Sequence, residues 1–205
     1  MNNFPKGKNC FEVKAVDNDL DYSKSIIWNF ESYNNEIEIQ NVCFSSIYRY
    51  YSNGDVLMES DMKISLADPN QRDIIKQRFN SNEDMRKEDF NKTLYKYENK
   101  LGRKIKAKDF NWSVSLENEN TVIVKEITLI SGFTGYEDMK FNTSLLDTYL
   151  YLENENFLKI ILPDNSKIIS ITPEPTLKID EHTFLWENTG KISFPEIKYS
   201  LENTE

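Results

Sequence analysis

The sequence predicts an α+β fold in which mainly antiparallel β-sheets carry one or two central helices packed on the sheet. Three observations predict it: strand-like runs before residue 67, an amphipathic helical stretch over residues 69–101, and a regular series of short strands after residue 156. With 205 residues, 39% of them apolar, the chain can bury a sizeable core. It divides into a β region (1–66) and an α+β region with a C-terminal meander (67–205), or forms a single domain.

The N-terminal third consists of short strand-like runs bounded by Asp, Asn and Ser, at residues 11–16, 25–30 and 37–44. The next run ends at Asn53-Gly54, a pair that favours the type I′ turn of a hairpin. The return strand alternates, so we expect its core face to carry Val56, Met58, Met62, Ile64 and Leu66.

A helix is predicted to begin at Asp68-Pro69, because Asp is a good N-cap and Pro fits the first helical position. Apolar residues then recur at helical spacing until Gly102, a typical helix-terminating residue. The polar stretch 80–82 interrupts this pattern. Residues 69–101 are therefore predicted to form one long helix or two successive ones.

The basic run 103–108 follows, which we interpret as a local salt-bridging segment because the chain as a whole is acidic. Two further strands are predicted, one alternating over 110–116 and one central and apolar over 121–130. Residues 144–147 resemble a capping box, which favours a short helix at 149–152. A strand is the alternative there.

Five short strands separated by turns are predicted after residue 156, as in a meander. The single histidine, His182, lies between two apolar runs and is interpreted as an exposed residue at a hairpin tip. One imidazole cannot build a multi-histidine metal site.

Charge and motifs exclude several classes of function. The formal net charge of -9 repels phosphate backbones and anionic lipid headgroups, so we expect no nucleic-acid binding. No run approaches the roughly 20 apolar residues that span a bilayer, so we expect no direct membrane insertion by this chain. The sequence holds no nucleophile elbow and no phosphate-binding loop. We therefore predict a protein that is not an enzyme, with no catalytic residues, cofactor or metal.

Two cysteines, Cys10 and Cys43, leave two interpretations open. A disulfide between them would stabilise the fold by about 3 to 4 kcal/mol in the chain-entropy model and imply an oxidising compartment. Two free thiols, one of them buried in a strand, would fit a cytosolic protein equally well.

Alternating carboxylates at Asp17, Asp19 and Asp21 resemble the start of a calcium loop. The rest of the loop pattern fails, because Tyr22 stands where the sharp turn needs Gly and Trp28 where a bidentate Glu is required. We interpret the three aspartates as a solvated acidic turn. They are also the candidates for a carboxylate-dependent hydrolase, the third hypothesis below.

Three segments carry a resemblance to a known group of proteins. They are Gly132-Phe133 after the strand 121–130, residues 183–188 with sequence TFLWEN, and residues 192–199 with sequence ISFPEIKY. Together with the order of hairpin, charged helical segment, second hairpin and meander, they resemble the extracytoplasmic domains of uncharacterised membrane-anchored archaeal and bacterial surface proteins. The resemblance implies an outward-facing domain and brings no catalytic residue with it.

Our first hypothesis is a non-enzymatic domain that acts by binding or structural contact, as the extracytoplasmic part of a surface-anchored protein with a protein partner. The alternative is an acidic cytoplasmic partner protein, such as an immunity or antitoxin factor that covers a basic target. Its interface would use aromatic anchors at Tyr48, Tyr50, Tyr51 and Tyr95, for which packing within the sheet is the competing interpretation.

Overall fold

The computed structural model describes the backbone of residues 8–16, 22–31, 39–80 and 83–202, with side chains over 39–80 and 84–202. Two helices follow the fourth strand, α1 (Arg72–Asn80) and α2 (Glu83–Leu101), and a 3-10 turn (Pro69–Gln71) precedes α1. The strands described are β1 (Lys8–Val16), β2 (Tyr22–Glu31), β3 (Ile39–Tyr50), β4 (Val56–Leu66), β5 (Lys106–Asn118), β6 (Thr121–Ser131), β7 (Gly135–Glu137), β8 (Lys140–Asn142), β9 (Tyr149–Leu152), β10 (Phe157–Ile161), β11 (Ser166–Thr172), β12 (Leu177–Lys178), β13 (Thr183–Glu187), β14 (Gly190–Ser193) and β15 (Glu196–Leu201).

The main sheet has seven strands in the order β12-β13-β10-β3-β4-β6-β5. Its neighbours are antiparallel except β10, which runs parallel to β3. Smaller sheets are formed by β11-β15-β8-β7, by β14-β9 and by β1-β2. The predicted α+β class with antiparallel-dominated sheets is confirmed. The C-terminal strands follow one another through turns as expected, but the structure distributes them over three of these sheets.

Strands from both sides of position 66 pair within the main sheet, since β4 lies between β3 and β6. The hairpin between β3 and β4 exists, but the predicted type I′ turn is wrong. Its connection spans five residues, and of the predicted pair only Gly54 has a positive φ, of +82°. The amide of Gly54 donates to the Tyr51 carbonyl, and the Asn53 side chain accepts from the amide of Asp55. The longer loop removes the need for two left-handed residues.

The helical stretch forms two helices, the second of the two predicted alternatives. Asp68 caps the 3-10 turn by accepting a hydrogen bond from the amide of Asn70, and Pro69 is its first residue. The helix predicted at 149–152 is wrong, because these residues form β9 and pair with β14. Leu146 and Asp147 have positive φ angles of 32° and 51°, so the helix that the capping box favours cannot start there.

Both helices pack on the same face of the main sheet. α1 covers one end, where Ile75 packs with residues of β4 and β6, among them Ile64, Leu66 and Val122. α2 packs closest to β5 and β6, where Phe90 contacts Phe110 and Arg86 bonds to Glu126. Phe90 and Leu94 belong to the larger apolar cluster that also includes Trp186, Leu158 and Phe133. Within the described residues, no helix is long and apolar enough to cross a membrane.

The loop after β6 depends on Gly132, whose φ is +73°. A Cβ atom at this position would collide with the carbonyl oxygen of Lys104. Arg103 holds the loop, because its Nε donates to the Gly132 carbonyl at 3.0 Å and its Nη2 to the Phe133 carbonyl at 2.6 Å. Farther along the basic run, Lys108 forms an ion pair with Asp55. These contacts fix Phe133 against the core.

Candidate ligand-binding cavity

A row of polar residues crosses the middle of the helix-covered face of the main sheet. Ser46 on β3 is paired with Ser60 on β4, and Ser60 is paired with Glu126 on β6. Residues paired across neighbouring strands share a face, so the three side chains lie side by side. The rows on either side are mostly apolar, and they include Phe44, Met62 and Val124 on one side and Tyr48 and Met58 on the other.

Helix α2 covers this polar row without filling the space above it. Arg86, Phe90, Leu94 and Tyr97 recur at helical spacing and face the sheet. Between them and the sheet lies a cavity of about 350 Å³. Side walls come from Phe133, Leu145, β9, the start of β10 and Phe194.

Several lining residues around the β9–β10 connection keep partial exposure, and Tyr151 of β9 is 44% exposed. Phe44, Tyr149, Asn156 and Phe157 are half-buried there, whereas the residues beneath α2 on β4 and β6 are mostly buried. The amide of Phe44 donates to Asn156 Oδ1 at 2.7 Å and so ties β3 to this connection. We therefore take this side as the entrance of the cavity.

Arg86 and Glu126 form an ion pair in the cavity wall. Arg86 Nε donates to Glu126 Oε2 at 3.0 Å, and the two side chains are only 9% and 6% exposed. The Arg86 guanidinium also lies 6.0 Å from the centre of the Trp112 ring. Burial raises the pKa of Glu126, and the neighbouring Arg86 cation opposes that rise.

Hydroxyl groups supply the remaining polarity. The Oγ atoms of Ser46 and Ser60 lie 3.2 Å apart and share a hydrogen bond. Thr148 Oγ1 donates to the Leu145 carbonyl at 2.8 Å and lies 3.4 Å from the Tyr97 hydroxyl. Burial raises the pKa of Tyr48, and Tyr97 and Glu126 add to the rise, so this phenol is neutral near pH 7.

The four tyrosines predicted as interface anchors lie in different places. Tyr50 is only 1% exposed and belongs to the core, because its strand turns it toward the interior. Tyr48 lines the cavity and packs against Phe133 and Phe194, with ring centres 6.0 and 5.3 Å away. Tyr51 and Tyr95 are 39% and 63% exposed, and their role as anchors stays a prediction.

Cys43, one of the two cysteines for which a bridge and free thiols were both left open, is buried on β3. Asn41 Nδ2 donates to its sulfur at 3.1 Å, and the thiol donates to Glu155 Oε2 at 3.4 Å. Burial is the main cause that raises the pKa of the Cys43 thiol, and the neighbouring Glu155 raises it further. The side chain of Cys10 lies outside the described residues, so the redox state of the pair stays a prediction.

Two other sequence-based candidates can be placed only in part. Asp17, Asp19 and Asp21 lie outside the residues that the structure describes, so the hydrolase hypothesis stays untested. His182 lies in the turn between β12 and β13 as predicted, but it is half-buried and its Nε2 lies 3.1 Å from the Ser166 carbonyl oxygen. Among the side chains described, no group of three His, Cys, Asp or Glu residues is arranged to hold a metal ion.

The polar residues of the cavity were missed by the sequence analysis. One signal was available: along β6 the inward positions are Val122, Val124, Glu126, Thr128 and Ile130, a series with a single charged member. A charge at an inward strand position needs a buried partner. That partner, Arg86, could not be identified without knowing which helix covers the strand.

The fold and the cavity define an α+β domain that encloses a mainly apolar interior site against a mixed sheet. A family model described as "Domain of unknown function (DUF4897)" matches residues 39–200, and the chain belongs to this family. The match includes every strand of the main sheet, both helices and all the residues that line the cavity. A comparison with curated proteins finds no match.

Proposed function

We propose that this chain is a non-enzymatic binding domain that holds a small, largely apolar molecule between α2 and the main sheet. The observation that carries the proposal is the cavity of about 350 Å³. Voids larger than a water molecule are few in protein interiors, whereas ligand sites occupy roughly 300 to 1,000 Å³. A bound molecule would restore the contacts that the lining side chains otherwise lack.

Binding rather than catalysis is favoured by how the polar groups of the cavity are engaged. Arg86 and Glu126 bond to each other, and Ser46 and Ser60 share a hydrogen bond. A general base needs to reach a proton on the substrate, and a serine nucleophile needs a base beside it. Paired groups of this kind are better suited to orient a ligand than to transform one.

The test uses a variant that fills the cavity. Ser60→Leu adds an apolar side chain on the inward face of β4, and we expect it to weaken binding of the apolar fluorophore N-phenyl-1-naphthylamine at least tenfold. Ser65→Leu is the matched control, because Ser65 lies on the opposite face of the same strand, outside the cavity lining. Fluorescence titration measures both, and equal binding by the two variants would contradict the proposal.

We also propose that the domain faces the outside of the cell as part of a surface-anchored protein with a protein partner. The support is the resemblance of residues 183–188 and 192–199 to extracytoplasmic domains. Labelling of intact cells with a membrane-impermeant amine reagent should modify the exposed lysines of this chain while sparing cytoplasmic proteins. Protection of the chain until the cells are lysed would overturn this location.

A second candidate is an acidic cytoplasmic partner of a basic protein, supported by the net charge of -9 and by Tyr95 on the outer face of α2, which is 63% exposed. Complexes recovered from cell lysate at low salt should dissociate at high salt and be weakened by Tyr95→Ala. Binding that is insensitive to both salt and this substitution would count against this candidate.

A further inference from the structure

The charges in the cavity wall balance each other. Arg86 contributes one positive and Glu126 one negative charge, their side chains are almost fully buried, and they are in direct contact. Asp61 also borders the cavity, but it belongs to the outward series of β4, and its carboxylate lies 3.7 Å from Lys125 Nζ, which supplies its counter-charge. A charged ligand placed beside them would lose its hydration without gaining a counter-ion of its own. The cavity therefore selects against ions of either sign.

The hydrogen-bonding capacity of the wall is less balanced. Arg86 Nε donates a hydrogen bond to Glu126 Oε2, and among the described residues this is the one hydrogen bond that the Glu126 carboxylate accepts. An ionised carboxylate only accepts, so Glu126 Oε1 is an acceptor available at the cavity wall. Ser60, paired with Glu126 across β4 and β6, lies beside it on the same face.

Taken with the proposed function, on which this step rests, we infer that the ligand is an uncharged, mainly apolar molecule that bears a hydroxyl or amide N–H group. Its apolar body packs among Phe90, Leu94 and Met58, and its N–H or O–H donates to Glu126. Glu126 is then the residue that determines specificity, and Arg86 holds it in place. Fatty acids and alkyl amines with an apolar chain of the same length as this ligand bind more weakly, because their charged groups lose hydration in the cavity without gaining a counter-ion.

The experiment compares three probes with the same ten-carbon chain: 1-decanol, decanoate and decylammonium. Each is titrated at pH 7.5 against the protein loaded with N-phenyl-1-naphthylamine, decanol below its solubility limit and the two ions below their micelle concentrations, and displacement of the dye is followed by fluorescence. We expect decanol to displace the dye at a concentration at least tenfold lower than either ion. This ranking uses the unmodified chain and needs no variant to fold.

The variant Glu126→Gln tests which residue sets the ranking. It removes the negative charge but leaves Arg86, so decanoate should gain at least tenfold relative to decanol. The matched control is Glu59→Gln, which removes the same charge from the outward face of β4 and should leave the ranking unchanged. Circular dichroism checks that both variants are folded.

The outcomes separate this inference from the proposed function. If neither the dye nor any probe binds, the cavity is not a ligand site and both fall. If the dye binds but an ion displaces it as well as decanol does, the inference falls and the binding function stands. If decanol is preferred and Glu126→Gln leaves that preference unchanged, the role of Glu126 is overturned.

Discussion

The two ends of the helix-covered sheet face are built differently although β4 and β6 run through both. Beneath α1, the inward residues are apolar and almost completely buried, and Ile64, Leu66 and Val122 pack with Ile75 into a closed cluster outside the cavity lining. Beneath α2, the same strands present Ser60 and Glu126 beside a cavity of about 350 Å³.

The difference comes from very few positions. Along β4, the inward series is Val56, Met58, Ser60, Met62, Ile64 and Leu66, so one small polar residue interrupts an apolar strand. Ser46 on β3 and Glu126 on β6, which pair with Ser60, likewise interrupt the inward apolar series of their strands. Close-packed interiors rely on side-chain volume, and one row of small or polar residues is enough to leave space. The cavity therefore depends on the row Ser46–Ser60–Glu126 rather than on the fold as a whole.

The largest effect is expected from breaking the ion pair beneath α2. Arg86→Met leaves the Glu126 carboxylate buried without its counter-ion, and we expect the free energy of unfolding to fall by about 3 to 5 kcal/mol. Urea denaturation measures the loss. The double variant Arg86→Met/Glu126→Leu should recover most of it, because the unpaired charge is then removed. A double variant as unstable as the single one would show that the pair is not the cause.

The next effect compares leucines from the two ends. Leu66→Ala in the closed cluster should lower the free energy of unfolding by about 4 kcal/mol, because a tightly enclosed site cannot collapse. Leu94→Ala should lower it by only about 2 kcal/mol, since Leu94 already borders the cavity and has fewer contacts to lose. Equal losses in urea denaturation would mean that the two ends are packed alike.

A smaller effect is expected on the pH dependence of stability. It arises beneath α2, where Glu126 is buried. Burial raises the pKa of Glu126 in the folded protein above that of the unfolded chain, so between these two values the folded state binds more protons. Its contribution to stability is fully present below the unfolded pKa, about 4.3, and is lost as pH rises through the folded pKa. Melting curves across pH 4 to 8 should show a shallower dependence in Glu126→Gln. An unchanged slope would exclude Glu126 as its source.

The smallest effect is a gain in stability. Ser60→Leu should raise the free energy of unfolding by about 1 kcal/mol, because the added side chain fills space that is otherwise without contacts. A matched substitution in the closed cluster, Val122→Leu, should instead lower it, since that site has no room. Thermal melts distinguish the two signs, and destabilisation by both would mean that the α2 end has no usable space.

Local patterns in the sequence predicted the individual elements better than their arrangement. The alternation along β4 identified its core face, and Asp68-Pro69 marked the start of the helical stretch, because both signals depend on neighbouring residues. At residues 149–152 the capping-box pattern favoured a helix, with a strand as the alternative. The pairing of β9 with β14, which makes this segment a strand, joins residues about forty positions apart and has no local signal. Long-range pairing overrides a local capping signal in this case.

The candidate site could not be assembled from sequence for the same reason. Its key contact joins Arg86 of α2 to Glu126 of β6, and Ser46 reaches the same row from β3. Each residue is unremarkable in its own segment, where a charged helix position or a strand serine is common. Only the register of β3, β4 and β6, with the placement of α2 above them, brings the row together.

The parallel pairing of β10 with β3 has a consequence for how the chain is made. Residues 157–161 pair with residues 45–49, so β3 keeps an open edge until the ribosome has delivered more than a hundred further residues. Phe157 and Leu158 also close one wall of the cavity. A nascent chain that stops before residue 157 therefore exposes both a strand edge and an apolar interior, and we expect such fragments to be prone to aggregation.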